Sequence, residues 1–276
     1  MPFSDLALAR RLERAEGFAC VQFAEARRRL FPQTGADWIE HAGTYAVFDG
    51  RESPLTQTFG LGIYAEASPQ ALEVMERFFF DRGAPVFHEV SPFAGVPTLQ
   101  TLCSRGYQPV EISSVLYRPV DQPPAHPRRG ISVRVMGPGE AQLWADIAAR
   151  GWAADYPELR DFLAELGTVS SAREHTTCFL AELDGRPGAA AGLSFHETVA
   201  LFGGSATVPE LRRRGLHSAL LEARMRYAFE RRCDLAMMAA QPGSESARNA
   251  QREGFSIAYT RIKWKLERTA IGLSES

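Results

Sequence analysis

Hydrophobic and polar residues follow two different periods along the C-terminal half of the chain. Short apolar runs and period-two alternation predict six β-strands, over residues 131–135, 178–183, 189–195, 199–208, 235–239 and 255–266. Apolar positions spaced three or four apart predict three helices, over residues 140–152, 216–231 and 244–252. Elements in this order predict an α/β fold with a mixed, mostly antiparallel sheet flanked by helices.

The N-terminal half repeats part of this pattern at an offset of 148 residues. The matched positions are Ala71-Leu72 with Ala219-Leu220, Phe87 with Leu235, Gly106-Tyr107 with Gly254-Phe255, and Leu116 with Trp264. The offset holds without a gap and indicates an internal duplication, although any α/β chain produces some such matches. The predicted fold is therefore two related units, each with its own sheet.

A proline-rich stretch near the middle of the chain divides these units. Pro119, Pro123, Pro124 and Pro127 remove backbone donors, so neither a helix nor a central strand is expected there. We predict an N-terminal domain over residues 1–118, a linker over 119–129, a C-terminal domain over 130–267 and a tail over 268–276.

Composition places the chain among globular proteins. Hydrophobic residues make up 45%, charged residues 23%, and the net charge at pH 7 is −2. These values exclude a disordered chain and give no reason to expect nucleic-acid or membrane partners. No apolar stretch approaches the roughly 20 residues that span a bilayer, and no signal peptide is visible, so a cytoplasmic location is expected.

The cysteines are widely separated along the chain, at Cys20, Cys103, Cys178 and Cys233. Without a C-x-x-C pair or a tight cluster, neither a disulfide framework nor a bound metal is expected. Free thiols fit a reducing compartment. Cys178 and Cys233 adjoin apolar runs and are predicted to lie in the core.

Residues 206–221 combine the end of a strand, a basic loop and the start of a helix. Arg212, Arg213 and Arg214 precede Gly215, after which the helix is predicted to begin. The first turn of a helix offers unpaired N–H groups and the positive end of its dipole, and glycine lets an anion approach the backbone. These features predict a cradle for a diphosphate. A solvated basic helix start is the alternative that the residues leave open.

The run Arg212-x-x-Gly215-x-His217 resembles the Arg/Gln-x-x-Gly-x-Gly/Ala signature of the GNAT superfamily, the acetyl-CoA-dependent N-acyltransferases. The segment from Asn249 to Gly254-Phe255 is similar to the family's second cofactor segment. The resemblance covers residues 131–266 and implies two GNAT-like units in tandem. It also implies acetyl-CoA as the co-substrate, without a metal.

The resemblance assigns coenzyme A to particular positions of this chain. It implies that the backbone of residues 206–208 binds the pantetheine arm and that the amides of residues 213–218 bind the pyrophosphate. The implied cofactor-binding residues are Ala206, Thr207, Val208, Arg212, Arg213, Arg214, Gly215, Leu216, His217, Ser218, Ser244 and Asn249. His217 departs from the family's Gly or Ala, and its ring is expected to point outward.

The N-terminal half lacks this cradle. Residues 64–69 occupy the equivalent place, where Ala67 matches the motif glycine and the arginines are absent. Glu66 would repel a diphosphate, and Pro69 removes a backbone donor. This half is therefore predicted to be a degenerate unit that no longer binds an acyl-CoA.

The positions at which GNAT enzymes often carry catalytic groups hold apolar residues here. Leu201 stands in place of a carboxylate, and Ala250 in place of a tyrosine that protonates the leaving thiolate. His196 and Glu197 are the nearest candidates for a base, with an exposed hairpin turn as the alternative. Tyr259 is the candidate to replace the missing tyrosine.

Asp155 and Tyr156 lie where the family often builds its acceptor pocket and are candidate substrate-binding residues. The resemblance implies an N-acetyltransferase that moves an acetyl group to a primary amine by direct attack in a ternary complex. A non-catalytic module that binds acyl-CoA is the alternative. The acceptor, a small molecule or a peptide, stays open, as does a homodimeric state.

Overall fold

The structure is a computed structural model that describes residues 4–120, 130–154 and 160–268. The helices are α1 Leu6–Leu30, α2 Pro69–Phe80, α3 Gly95–Ser104, α4 Ala141–Ala153, α5 Arg160–Ser171, α6 Leu216–Glu230 and α7 Glu245–Arg252. The strands are β1 Asp37–His41, β2 Thr44–Phe48, β3 Gln57–Phe59, β4 Val86–Val90, β5 Gln108–Pro119, β6 Ile131–Val135, β7 Thr176–Leu183, β8 Arg186–His196, β9 Val199–Thr207, β10 Leu235–Ala240 and β11 Ser256–Leu266. Among these helices, none is long and apolar enough to cross a membrane.

The strands join one continuous sheet in the order β1-β2-β3-β4-β11-β5-β10-β9-β8-β7-β6. The β3–β4 and β9–β10 pairs are parallel, and the central pairs around β5 and β11 are antiparallel. The predicted class, a mixed α/β fold with a large sheet flanked by helices, is confirmed. The sheet itself is one, however, and not the two separate sheets expected from the duplication.

The two halves join by exchanging their last strands. The C-terminal strand β11 lies between β4 and β5 of the N-terminal half, and β5 lies between β11 and β10. Ser113 of β5 stands opposite Arg261 of β11, and 148 residues separate them, which is the offset found in the sequence. Pairing in this way satisfies edge N–H and C=O groups that two separate sheets would expose.

The elements predicted for the C-terminal half are present, with ends shifted by a few residues. Helix α5 was not predicted, because Gly167, Thr168 and the two serines at its end are weak helix formers. It packs closely on α4, where a Cβ added at Gly167 would lie 3.0 Å from Ala145 Cα. Of the predicted linker, Pro119 ends β5, and residues 121–129 lie outside the described residues.

Helix α1 spans both halves on one face of the sheet. Leu12 shares a buried cluster with Val199 of β9, and Val21 shares one with Val47 of β2. Helix α6 packs on the opposite face, because it shares a cluster with Phe202, and side chains along a strand alternate between its faces. The C-terminal part of the sheet is therefore covered by α1 on one side and α6 on the other.

A buried ionic cluster fastens α1 to the exchanged strand. The Arg261 guanidinium of β11 lies 2.8 Å from a Glu16 oxygen and 3.3 Å from a Glu13 oxygen, both on α1. It also lies 3.0 Å from Glu89 of β4. The Tyr259 hydroxyl donates to Glu13 Oε1 over 2.9 Å. This cluster crosses the boundary between the halves and therefore stabilises their junction.

Candidate functional site

Strands β9 and β10 pair over only a short distance and then separate. Their parallel pairing covers three positions and ends where Met237 stands opposite Leu201. Strand β9 nevertheless continues to Thr207 and stays paired with β8, while β10 continues to Ala240 and stays paired with β5. The facing edges beyond Leu201 are therefore open along residues 202–207, and we call this gap the splay.

A bulge in β9 accompanies the splay. The β8–β9 register shifts between Ala190 and Gly192, which indicates a bulge or irregularity in that pair. Gly204 there has a positive φ of 60°, a left-handed conformation that glycine adopts without strain. Because a bulge bends its strand, the irregularity helps to carry the end of β9 away from β10.

The splay leads to the start of α6, where the backbone N–H groups are open. Gly215 precedes the helix with φ 89° and ψ 0°, and no side chain caps the first turn. By contrast, Ser244 caps α7 through Ala247 N, over 3.1 Å. The dipole and the uncapped donors of α6 together favour a bound anion at this end of the helix.

The three arginines before Gly215 have different surroundings. Arg212 Nη2 donates to the Gly151 carbonyl over 2.8 Å, which ties the loop to the end of α4. This guanidinium therefore holds the loop in place, and the predicted cofactor contact of Arg212 stays a prediction. Arg213 and Arg214 are exposed, and no ion pair or hydrogen bond engages their side chains within the described residues. They leave positive charge free beside the uncapped turn.

The expectation that the His217 ring points outward was wrong. Its Nδ1 is buried and has no hydrogen-bond partner among the described residues. Burial, assisted by the charge of Arg224, lowers the pKa of His217 to about 4. The ring turns inward because His217 lies on the buried side of α6. The imidazole is neutral near pH 7.

The other predicted cofactor residues lie on β9 and the loop after it, on helices α6 and α7, and at the N-cap of α7. Ala206, Val208 and Leu216 are buried, so they offer only backbone groups. The Ser244 hydroxyl accepts the capping hydrogen bond of α7, and Asn249 Oδ1 accepts from Arg252 over 3.0 Å. The remaining members of the set, Thr207 and Ser218, are partly buried.

The equivalent helix of the N-terminal half starts differently. Ser68 caps α2 by accepting from Ala71 N over 3.2 Å, and Pro69 stands in its first turn. Ala67 is buried and Glu66 is exposed. Since the capping serine and the proline remove open donors, these contacts support the prediction that this half binds no diphosphate.

His196 and Glu197 lie at the turn between β8 and β9, at the end of β9 away from the splay. Glu197 is exposed and has a left-handed φ of 49°. The His196 ring packs 4.7 Å from the Phe18 ring of α1, and burial lowers the pKa of His196. The structure therefore does not bring these two side chains to the splay, and a role for them requires a relay.

Tyr259 is buried, and its hydroxyl donates a hydrogen bond to Glu13. Glu13 was not identified from the sequence as a functional residue. Burial raises the pKa of Glu13 to about 7, and burial together with Glu13 raises the pKa of Tyr259. The only signal for Glu13 was a carboxylate on the apolar stripe of a helix, beside Leu12. Asp155 and Tyr156 lie outside the described residues.

Comparisons with known proteins agree on one fold. The sequence model of the acetyltransferase (GNAT) family matches residues 142–255. A GCN5-related N-acetyltransferase from Kribbella flavida is 19% identical, with a TM-score of 0.64 over 91% of this chain and 97% of that one. A tandem GNAT protein from the clavulanic acid biosynthesis pathway is 16% identical, with a TM-score of 0.53 over 81% and 73%. A search of curated proteins gave no match.

Proposed function

We propose, from the match of residues 142–255 to the acetyltransferase (GNAT) family model, that the chain transfers an acetyl group from acetyl-CoA to a primary amine. The observation that carries the proposal is the splay, because it ends at the uncapped first turn of α6. The open edge of residues 202–207 can pair with the amides of a pantetheine arm as an added strand would.

The loop before α6 suits the pyrophosphate of coenzyme A. The N–H groups of the first turn have no side-chain cap, and the left-handed backbone at Gly215 keeps Cβ atoms out of the approach. Arg213 and Arg214 add positive charge beside them. Arg212 braces the loop against α4 and so fixes where these donors lie.

The proposed reaction is direct attack within a ternary complex. The amine nitrogen forms a bond to the thioester carbonyl carbon, the C–S bond breaks, and sulfur leaves with the electron pair. The proton lost by nitrogen passes to a base or to water. A covalent relay through Cys178 is not supported, because burial raises the pKa of this thiol to about 11 and a thiol reacts as its thiolate. Holding thioester and amine together supplies a large part of the rate.

The proposal also assigns the general base and the general acid of the reaction. We keep Glu197 and His196 as bases that act through water, and Tyr259 as the acid, hydrogen-bonded to Glu13. The test is a pH–rate profile of Glu197→Gln with a saturating acceptor. We expect the variant to have a lower turnover and a nearly unchanged affinity for coenzyme A. If it keeps the wild-type turnover and the same acidic limb of the pH–rate profile, Glu197 is only a turn residue with no catalytic role.

The acceptor pocket is proposed to include Asp155 and Tyr156, and the acceptor to be a small-molecule or peptide amine. A cytoplasmic location and a homodimer stay predictions. The decisive experiment measures release of free thiol from acetyl-CoA with a panel of amines. Thiol release that depends on an amine supports the transferase.

A second candidate is a protein that binds acyl-CoA without turning it over. It is favoured by the apolar residues Leu201 and Ala250, which occupy the places of the family's usual base and acid. Tight binding of coenzyme A with no amine-dependent thiol release across the panel would select this function.

A further inference from the structure

A buried guanidinium lies beside the splay without a carboxylate partner. Arg224 projects from α6 and is only 1% exposed. Within the described residues no carboxylate lies within ion-pair distance of it, and burial lowers the pKa of Arg224 to about 9. Burying a charge is costly, and the buried guanidinium of Arg261, by contrast, has carboxylate partners.

The partners of Arg224 place its charge at the bulge. Nη1 donates to the Gly192 carbonyl over 3.0 Å and approaches the Gly203 carbonyl at 3.5 Å, while Nη2 donates to Ser205 Oγ over 2.8 Å. The guanidinium also lies 4.8 Å from the centre of the Phe202 ring. These neutral groups hold the guanidinium in position without cancelling its charge.

Three of these neighbours belong to the part of β9 that borders the splay. Phe202, Gly203 and Ser205 follow Leu201, where pairing with β10 ends. The guanidinium contacts β9 from the α6 side and also reaches Gly192 of β8, so it lies over the β8–β9 pair, about one strand width from the open edge. A group that occupies the splay near these residues therefore feels a positive charge through a dry interior, where screening is weak.

We infer that Arg224 stabilises the negative charge on the sulfur of departing coenzyme A, and so performs the part that Ala250 cannot. This inference rests on the proposed function. When the C–S bond breaks, sulfur takes the electron pair and leaves as a thiolate, which Tyr259 or water later protonates. Arg224 gives up no proton; it lowers the energy of the anion from a fixed position.

The surroundings of Arg224 allow the effect to be measured by pH. His217, the titratable group whose pKa Arg224 depresses, is neutral above pH 6 because its pKa is about 4. Glu245 faces His217 from α7. Between pH 6.5 and 8.0 Arg224 stays charged, because its pKa is about 9, and the group that changes charge beside it is the bound thiol.

The experiment compares the affinities of coenzyme A and desulfo-coenzyme A, which lacks the thiol, from pH 6.5 to 8.0. If Arg224 lowers the bound thiol's pKa to about 7, the preference of the wild-type chain for coenzyme A rises at least about fivefold over this range. Arg224→Met should reduce the rise to less than twofold, and Arg224→Lys, which keeps the charge, should retain a part. Arg77→Met, at an exposed position of α2, is the matched control and should behave as wild type.

The outcomes distinguish a failure of the inference about Arg224 from a failure of the proposed function. A wild-type chain whose preference does not change with pH overturns the inference, whether or not the variants fold. An Arg224→Met protein that keeps the wild-type rise also overturns it and leaves Arg224 as a brace of the bulge. If neither coenzyme A nor its desulfo analogue binds to the wild-type chain, the proposed function itself has failed.

Discussion

At the scale of single residues, Gly215 has the largest consequence for the site. Its backbone is left-handed, with φ 89°, and α6 begins after it without a side-chain cap. A β-branched residue is strained in this conformation, and its side chain would enter the space in front of the N–H donors of the first turn.

Gly215→Val is therefore expected to weaken coenzyme A binding. Loss of one or two charge-assisted hydrogen bonds costs about 1.5–3 kcal/mol each, which is roughly tenfold or more in affinity. Calorimetric titration measures it. Gly35→Val is the matched control, since Gly35 has a φ of 67° and open space around it, far from the splay. An unchanged affinity in a folded Gly215→Val protein would place the cofactor elsewhere.

At the scale of elements, α1 and the exchanged strand β11 depend on each other through one buried cluster. Arg261 reaches both Glu13 and Glu16 of α1, and Glu13 accepts from Tyr259. Glu89 of β4 faces the same guanidinium, and Lys263 lies 3.4 Å from Glu89. Lys263 also lies 3.0 Å from Glu111, so the cluster holds four carboxyl groups and two cations. One carboxyl can therefore hold a proton, and burial selects Glu13.

The protonation of Glu13 predicts how stability depends on pH. Its pKa is raised from 4.5 to about 7 in the folded chain, so its contribution is fully present below pH 4.5 and is lost as pH rises through 7. Glu13→Gln removes this loss. Between pH 4.5 and 7 the free energy of unfolding of the variant should therefore rise relative to that of wild type by up to about 3 kcal/mol.

Denaturant unfolding at several pH values measures the difference. Glu73→Gln, at a side chain that is 58% exposed on α2, is the control and should run parallel to wild type. A Glu13→Gln curve that is also parallel to wild type would show that Glu13 titrates normally in the fold.

The exchange of strands makes a second prediction at this scale. Strand β11 pairs with β4 and β5, so residues 130–276 alone would leave β11 without both partners and β10 without β5. That fragment should aggregate or self-associate, and co-expression with residues 1–129 should restore a soluble complex. Size-exclusion chromatography checks this. A monomeric fragment with native coenzyme A affinity would contradict it.

At the scale of the whole molecule, the two related halves differ at the one place that matters for binding. The C-terminal half presents an uncapped helix behind Arg213 and Arg214. The N-terminal half presents a helix capped by Ser68 with Pro69 in its first turn. The proposed coenzyme A site therefore lies in the C-terminal half, which the N-terminal half contacts through α1 and β5.

One coenzyme A per chain is accordingly expected. Calorimetry should give a stoichiometry of one, and Gly215→Val should weaken that single site without leaving a second one behind. Two equivalent sites per chain, or a site that survives Gly215→Val at full affinity, would refute the asymmetry between the halves.

Much of this architecture is determined locally, and it could be predicted from the sequence. Periodicity located α6 and the strands β6 to β11, because one-sided burial imposes a period of 3.6 or 2 on the chain. The loop from Arg212 to Gly215 was found because an open helix start needs glycine and positive charge in consecutive positions. Glycine, proline and capping serines act within a few residues, so their effects are visible without the fold.

The tertiary structure decided what depends on distant parts of the chain. Nothing near Ser256 in sequence shows that β11 pairs with β4 and β5, because strand pairing is set by which edges meet in space. The burial of Glu13, the inward ring of His217 and the unpaired charge of Arg224 have the same origin. Whether a polar group keeps its solvent is decided by the elements that pack over it, and for these three residues those elements come from far along the chain.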